Sequence, residues 1–271
     1  MSRLPALLPS LHLLPSLHLL PSLPLLIGAI AAIAIAAPGA ARADEVHVAV
    51  ASNFMAPMKA LAAGFARESG HTVLPSYGAT GKFYAQIKHG APFGILLAAD
   101  DETPARLEQE GAAVAGTRMT YAIGKLVLWS AQPKLVDDQG AILRTGGFDH
   151  LAIANPKTAP YGAAAVETLT KLGLLAALEG KFVQGENIAQ TQQFVVSGNA
   201  ALGFVAMSQV FEGGKLSSGS AWIVPSTLYS PIRQDAIVLA KGKDNRAATA
   251  FMAYLASGKA RTLIRGYGYT L

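Results

Sequence analysis

A two-lobed α/β fold with largely parallel sheets is the expectation from this 271-residue chain, and three observations carry it. Strand-like and helix-like segments alternate through residues 44–271, the pattern of strand–helix units built on a parallel sheet. A long β run in mid-chain, YAIGKLVLWS at residues 121–130, offers a way out of a first lobe. A late strand, DAIVLA at residues 235–240, offers the way back. Two lobes joined by two crossings leave a cleft at the carboxyl ends of strands, where ligands bind in open α/β sheets.

The elements follow in order. EVHVAVA at 45–51 reads as a buried strand, and Met55, Met58, Leu61, Ala62 and Phe65 recur at helical spacing until Ser69-Gly70. Residues 72–76 form a second strand, followed by a Gly-flanked turn and a helix through Phe83, Ile87 and Lys88. Residues 95–99 make a third strand, and Asp100-Asp101-Glu102-Thr103-Pro104 opens a helix with proline in its first turn. Beyond the long run, 151–154 and 202–205 are strands of the second lobe, separated by helices over 163–172 and 188–196. After 235–240 come a helix over 247–256 and the Tyr267-Gly268-Tyr269 tail. Residues 132–147 and 212–220 read as surface connections.

The first 43 residues read as an export leader. Arg3 gives a weak positive start, a Leu-Pro-Ser near-repeat follows, then an apolar run from Leu25 to Ala37, and Ala41-Arg42-Ala43 fits the small-x-small cleavage rule. That run is shorter than the ~20 residues of a membrane span, so the expected product is a soluble chain starting at Asp44. Arg3 and Arg42 carry the only charge before Asp44, which lowers the +5 of the whole chain to +3 for the rest. So small an excess, without a basic run, is not a nucleic-acid footprint. The absence of cysteine excludes disulfides, thiolate metal sites, a cysteine nucleophile and a lipid-anchored leader.

Four stretches sit where a strand hands over to a helix: Ala51-Ser52-Asn53-Phe54, Gly78-Ala79-Thr80-Gly81, Ala159-Pro160-Tyr161-Gly162 and Glu186-Asn187-Ile188. Each offers hydroxyls, an amide or backbone N–H groups at a helix start, and none supplies a cation on the ligand side. Helix starts with unpaired N–H groups favour anions. Together they suggest a site for a small, fully ionised oxyanion. Ser52 and Asn53 are also good N-caps, so capping and ligand donation both stay open. Gly78–Lys82 superficially resembles a phosphate loop, but Ser76 stands where its first glycine belongs and Phe83 where its magnesium-binding hydroxyl belongs. Tyr161, set by Pro160 and Gly162, either aims its phenol into the cleft or packs in the core. Ile188 can give only a backbone N–H and an apolar wall.

Enzyme signatures are missing. There is no Gly-x-Ser-x-Gly elbow and no His-Glu-x-x-His helix, and His47, His71, His89 and His150 are scattered. The Asp100–Glu102 acids fit helix-start chemistry, and Trp129 and Trp222 read as packing residues. A hydrolase of phosphate or sulfate esters using Thr80 or Ser52 would lack a recognisable base or metal set.

Across residues 46–271 the chain resembles the periplasmic molybdate-binding proteins (ModA) of bacterial ABC importers. The landmarks are VAVASNF, GATGKFYAQIKHGAP, LLAADDETP, YAIGKLVLWS, NPKTAPYG, SGNAALGFVA and GYGYTL. The resemblance implies a class II periplasmic-binding fold: lobe one over 44–124, lobe two over 125–231, and a return to lobe one over 232–271. It places the ligand contacts on Ser52, Asn53, Thr80, Tyr161 and Ile188. Many members carry the ligand's tyrosine where this chain has Ala206; here, as in a smaller branch, the phenol moves to Tyr161. The resemblance further implies a periplasmic monomer with no cofactor that binds molybdate, and tungstate of nearly equal size. It would deliver the anion to a membrane permease driven by an ATPase. Sulfate or phosphate as the ligand remains the near alternative.

Overall fold

The computed structural model describes residues 43–271, so the expected leader lies outside the described residues except for Ala43. In chain order the elements of the first part are β1 (Glu45–Ala51), α1 (Met55–Ser69), β2 (Thr72–Gly78), α2 (Thr80–Lys88), β3 (Ile95–Leu97), α3 (Glu102–Gln109) and β4 (Met119–Gly124). The second part holds β5 (Leu126–Ser130), α4 (Ile142–Thr145), β6 (Leu151–Ala154), α5 (Pro160–Lys171), α6 (Leu175–Leu178), β7 (Phe182–Gly185), α7 (Ile188–Val196), β8 (Leu202–Ala206), α8 (Met207–Val210), β9 (Phe211–Glu212), β10 (Lys215–Leu216) and β11 (Ser220–Ile223). The chain closes with β12 (Ile232–Val238), α9 (Arg246–Ala256) and α10 (Gly258–Gly266).

Two five-stranded sheets result, ordered β2-β1-β3-β12-β4 and β11-β5-β8-β6-β7. In each, one strand runs against the rest: β12 is antiparallel to β3 and β4, and β5 is antiparallel to β8 and β11. Read from the β7 edge, the second sheet repeats the order of the first, with β6 in the place of β1 and β7 in the place of β2. The two parallel pairs, β1 with β2 and β6 with β7, therefore occupy equivalent positions. Residues 44–271 show no repeat in sequence; the topology does.

The run expected to be continuous over 121–130 is two strands in different sheets, parted at Lys125. This is the first crossing between lobes, and residues 224–231 make the second. Both sheets are covered on both faces, which is why β3, β5, β6 and β8 are apolar nearly end to end. Val46, Val48 and Val50 of β1 pack with Phe54, Met58, Leu61, Phe65, Phe251 and Ile264, while Ala49 turns to Phe83, Leu96, Leu107 and Ile237. In the second lobe Leu126 and Leu128 join Leu151, Ile153, Leu169 and Phe204, and Val127 and Trp129 join Val195, Val205 and Val210. Each large side chain so buried contributes ~1.5–3 kcal/mol, which a chain without disulfides needs.

Gly70 closes α1 at φ 71, a left-handed conformation that costs glycine little. Gly213 and Gly214, at φ 57 and 79, make the tight turn between β9 and β10. This hairpin lies within the expected 212–220 surface connection. The 132–147 connection is also more than a surface loop, since Val136 and Leu143 are buried and α4 lies within it. Among the described residues no helix is long and apolar enough to cross a membrane.

Candidate functional site

The four strand-to-helix stretches fall at equivalent places in the two sheets. Ser52 and Asn53 follow β1, Thr80 follows β2, Tyr161 follows β6 and Ile188 follows β7. All five residues are nearly inaccessible, and together they line one cavity of about 10 Å³, closed by Ala51, Gly78, Ala79, Ala99, Ala159 and Pro160. No Lys, Arg, His, Asp or Glu lines it. The room is about that of one water-sized sphere, so the two lobes meet closely around it.

The capping reading of Ser52 and Asn53 fails. No side chain caps the turn at Ser52–Phe54 or the start of α1. Ser52 Oγ instead donates across the cleft to Asn187 Oδ1 at 3.2 Å. Asn53 Nδ2 donates to Gln234 Oε1 and to the Tyr269 hydroxyl, both at 2.9 Å. What Asn53 has left to offer the cavity is therefore its backbone N–H.

Thr80 is the first residue of α2, and its Oγ1 accepts the Ala99 N–H at 2.9 Å. With a lone pair so occupied, the hydroxyl proton is available to a ligand. Next to it, Gly81 N–H donates to Thr158 O at 2.9 Å, a backbone contact between lobes. A Cβ on Gly81 would sit 3.0 Å from Thr158 Cα, so the close approach depends on glycine.

Pro160 opens α5 and aims Tyr161 inward. The Tyr161 hydroxyl accepts from Gln234 Nε2 at 3.1 Å, and burial pushes the phenol well above its ordinary pKa, so it stays neutral and keeps its proton. Asn187 caps α7, its Oδ1 accepting the N–H groups of Ala189 and Gln190. Among the described residues no acceptor meets the N–H of Ile188, which leaves that donor for the cavity. Ala206 ends β8 outside the cavity, its N–H donating to Gln209 Oε1 at 2.9 Å.

The nearest cation of the four stretches is diverted. Lys82 Nζ pairs with Glu186 Oε2 at 2.6 Å across the cleft, in solvent. A larger recess of about 360 Å³ opens beside the cavity, where four carboxylates (Asp100, Asp101, Glu102 and Glu167) outnumber two cations (Lys157 and Arg233), a lining that disfavours an anion. Asp100 Oδ1 accepts the Thr103 N–H at 2.8 Å, as helix-start chemistry expects, and burial raises its pKa to about 6. Among the described residues there is no cluster suited to a metal ion.

Behind the cavity lies a polar network that sequence reasoning missed. Gln234 and Tyr269 join Asn53, Ser208 and Tyr121: Ser208 Oγ donates to Asn53 O at 2.8 Å, and the Tyr269 hydroxyl donates to the same carbonyl at 3.0 Å. These bonds tie α8 and the C-terminal tail to the turn after β1. Little signal was available along the chain, because Gln234 stands between Arg233 and Asp235 in β12 and only its burial shows that it needs partners. The tryptophans pack as expected, Trp129 donating to Ser218 O and both rings lying outside the cavity lining.

Residues 46–270 match the family model described as bacterial extracellular solute-binding protein. The chain is 62% identical over 232 residues to the molybdate-binding protein ModA of Azotobacter vinelandii, covering 86% of this chain and 92% of that one. It is 51% identical over 229 residues to the ModA of Rhodobacter capsulatus, covering 84% and 89%. Among solved structures, an Azotobacter vinelandii periplasmic molybdate-binding protein superposes with a TM-score of 0.81 at 42% identity, over 83% of this chain and 99% of that one.

Proposed function

Because this chain belongs to the bacterial extracellular solute-binding proteins and, within them, to the ModA family, we propose that it captures molybdate outside the cytoplasm for an ABC importer. The observation that carries the reading is the cavity between lobes lined by hydroxyls and helix-start N–H groups with no charged side chain. Molybdate is a dianion without a proton near neutral pH, so a pocket offering only donors suits it. Monohydrogen phosphate brings a proton that needs an acceptor, and leaving it unpaired in a dry site costs ~1–3 kcal/mol. Sulfate carries no proton either; its shorter bonds would stretch several donor contacts at once. Tungstate, close to molybdate in size, should be taken as well.

In this reading Thr80 and Tyr161 donate side-chain protons, Ser52 does so by giving up its bond to Asn187 Oδ1, and Asn53 and Ile188 donate backbone ones. An anion taken up on one lobe is completed by the other as the cleft closes, and no cofactor takes part. The closed monomer, exported to the periplasm by its leader, then docks on a membrane permease worked by a cytoplasmic ATPase. Competition calorimetry tests the assignment: molybdate and tungstate should displace sulfate and phosphate, and stronger binding of either of the latter two would reject it.

A further inference from the structure

Gln234 is wholly buried in β12, the strand that carries the chain back to the first lobe, yet it lines no part of the cavity. Its two amide atoms face different lobes. Oε1 accepts Asn53 Nδ2 at 2.9 Å and lies 3.2 Å from the Tyr121 hydroxyl, both in the first lobe. Nε2 donates to the Tyr161 hydroxyl, in the second lobe, at 3.1 Å. Gly124, at the other crossing, leaves room for that bond: a Cβ there would lie 2.1 Å from the Tyr161 hydroxyl and 2.7 Å from Gln234 Nε2.

An amide N–H can only give, so the oxygen of Tyr161 must receive, and its own proton must go elsewhere. The neighbouring phenol of Tyr269 gives its own proton to Asn53 O at 3.0 Å or Ser208 Oγ at 2.9 Å and accepts from Asn53 Nδ2 at 2.9 Å, which leaves it one lone pair to compete for the Tyr161 proton. A fully charged oxyanion in the cavity is the stronger acceptor and takes that proton from a neutral phenol oxygen. Thr80 is treated alike, its oxygen held as acceptor by the Ala99 N–H. We propose that Gln234 is a positioning residue that fixes the proton of Tyr161 toward the bound oxyanion, and thereby makes the site reject oxyanions that carry a proton of their own. The inference rests on the molybdate reading and adds to it the residue that enforces one direction of hydrogen bonding.

The test is a double-mutant cycle at pH 8, titrating molybdate by calorimetry and hydrogen phosphate by competition. In Gln234→Glu the introduced carboxylate can only accept, so Tyr161 turns its proton away and offers a lone pair to the cavity. Molybdate should weaken about 10- to 100-fold, the weight of one hydrogen bond to a charged group, and its preference over hydrogen phosphate should drop by about tenfold or more. Repulsion between the new charge and the ligand acts with or without the phenol, so the part that disappears on adding Tyr161→Phe measures the proposed coupling. Gln234→Met, which is neutral and lacks the N–H, should lower the preference several-fold, again only while Tyr161 is present.

Equal effects of either replacement with and without Tyr161→Phe would overturn the proposal, as would no effect at all. If hydrogen phosphate proves too weak to compete, the molybdate cycle decides alone. Wild-type protein that fails to bind molybdate would sink the functional reading instead, an outcome separate from these.

Discussion

Gly124→Ala is the most demanding perturbation of the hinge because it adds one methyl group and no charge. Gly124 is the last residue of β4 and is not among the glycines with positive φ, so alanine meets no backbone penalty there. What the methyl meets is the site: 2.1 Å to the Tyr161 hydroxyl, 2.9 Å to Tyr161 Cζ and 2.7 Å to Gln234 Nε2. Restoring ordinary contact requires the phenol to retreat by more than ~1 Å. Such a shift breaks the Gln234 bond and pulls the hydroxyl from the cavity wall. Losing one hydrogen bond to a charged ligand costs ~1.5–3 kcal/mol, or roughly 10- to 150-fold in Kd. Overpacking should also lower the stability of the ligand-free protein by ~1–3 kcal/mol. Calorimetry with molybdate and thermal melts read the two effects separately. Adding Tyr161→Phe removes the atom at 2.1 Å, so it should return part of the melting temperature while leaving affinity low. Wild-type affinity in Gly124→Ala would refute the placement of Tyr161 at the ligand.

Thr80→Ala removes a donor and strands the Ala99 N–H, so calorimetry should show about 10- to 100-fold weaker molybdate binding, with ~1–3 kcal/mol lost in denaturant melts. Asp100 has a folded-state pKa of about 6, above its ordinary 3.8, so its stabilising contribution is full below pH ~4 and lost as pH rises through 6. Asp100→Asn, which can still accept the Thr103 N–H, should therefore melt higher than wild type at pH 7.5 by up to ~3 kcal/mol, the gap closing toward pH 4. Glu186→Gln breaks an exposed pair between lobes and should alter Kd by less than about fivefold, chiefly through faster release in stopped-flow traces and only at low salt.

The regular elements were legible where a period was strong: EVHVAVA at β1, the Met55–Phe65 spacing of α1, and α7 after its asparagine cap. The break at Lys125 was not, because β4 and β5 are both mainly apolar and sheet membership is what distinguishes them. β7 and β11 are four residues each, too short for alternation to register, and α10 is announced by little more than Ser257 at its cap. At the cavity, residues that donate from helix starts could be found because glycine, proline and hydroxyl residues cluster there. Gln234 and Ser208 could not, since their importance lies in contacts 181 and 155 residues away along the chain. Ser52 looked like a cap because its neighbours permit one, and only the opposite lobe reveals its real partner.

The repeated topology explains how a site without a cation can hold a dianion. Each lobe brings two helix starts to the cavity, after β1 and β2 in one and after β6 and β7 in the other. A helix start carries about +0.5 charge, so one lobe alone presents roughly +1 and the closed pair roughly +2. On the proposed site a doubly charged tetrahedron would be half compensated when it lands and fully compensated only when the lobes meet, which would couple its binding to closure without any switch beyond the hinge. A lysine in the cavity would weaken this coupling, because its full charge would already face the anion in the open form. Lys82, two residues after Thr80, is bound to Glu186 and does not line the cavity. Charge at this site is therefore supplied by the backbone in two instalments, one from each half of the fold.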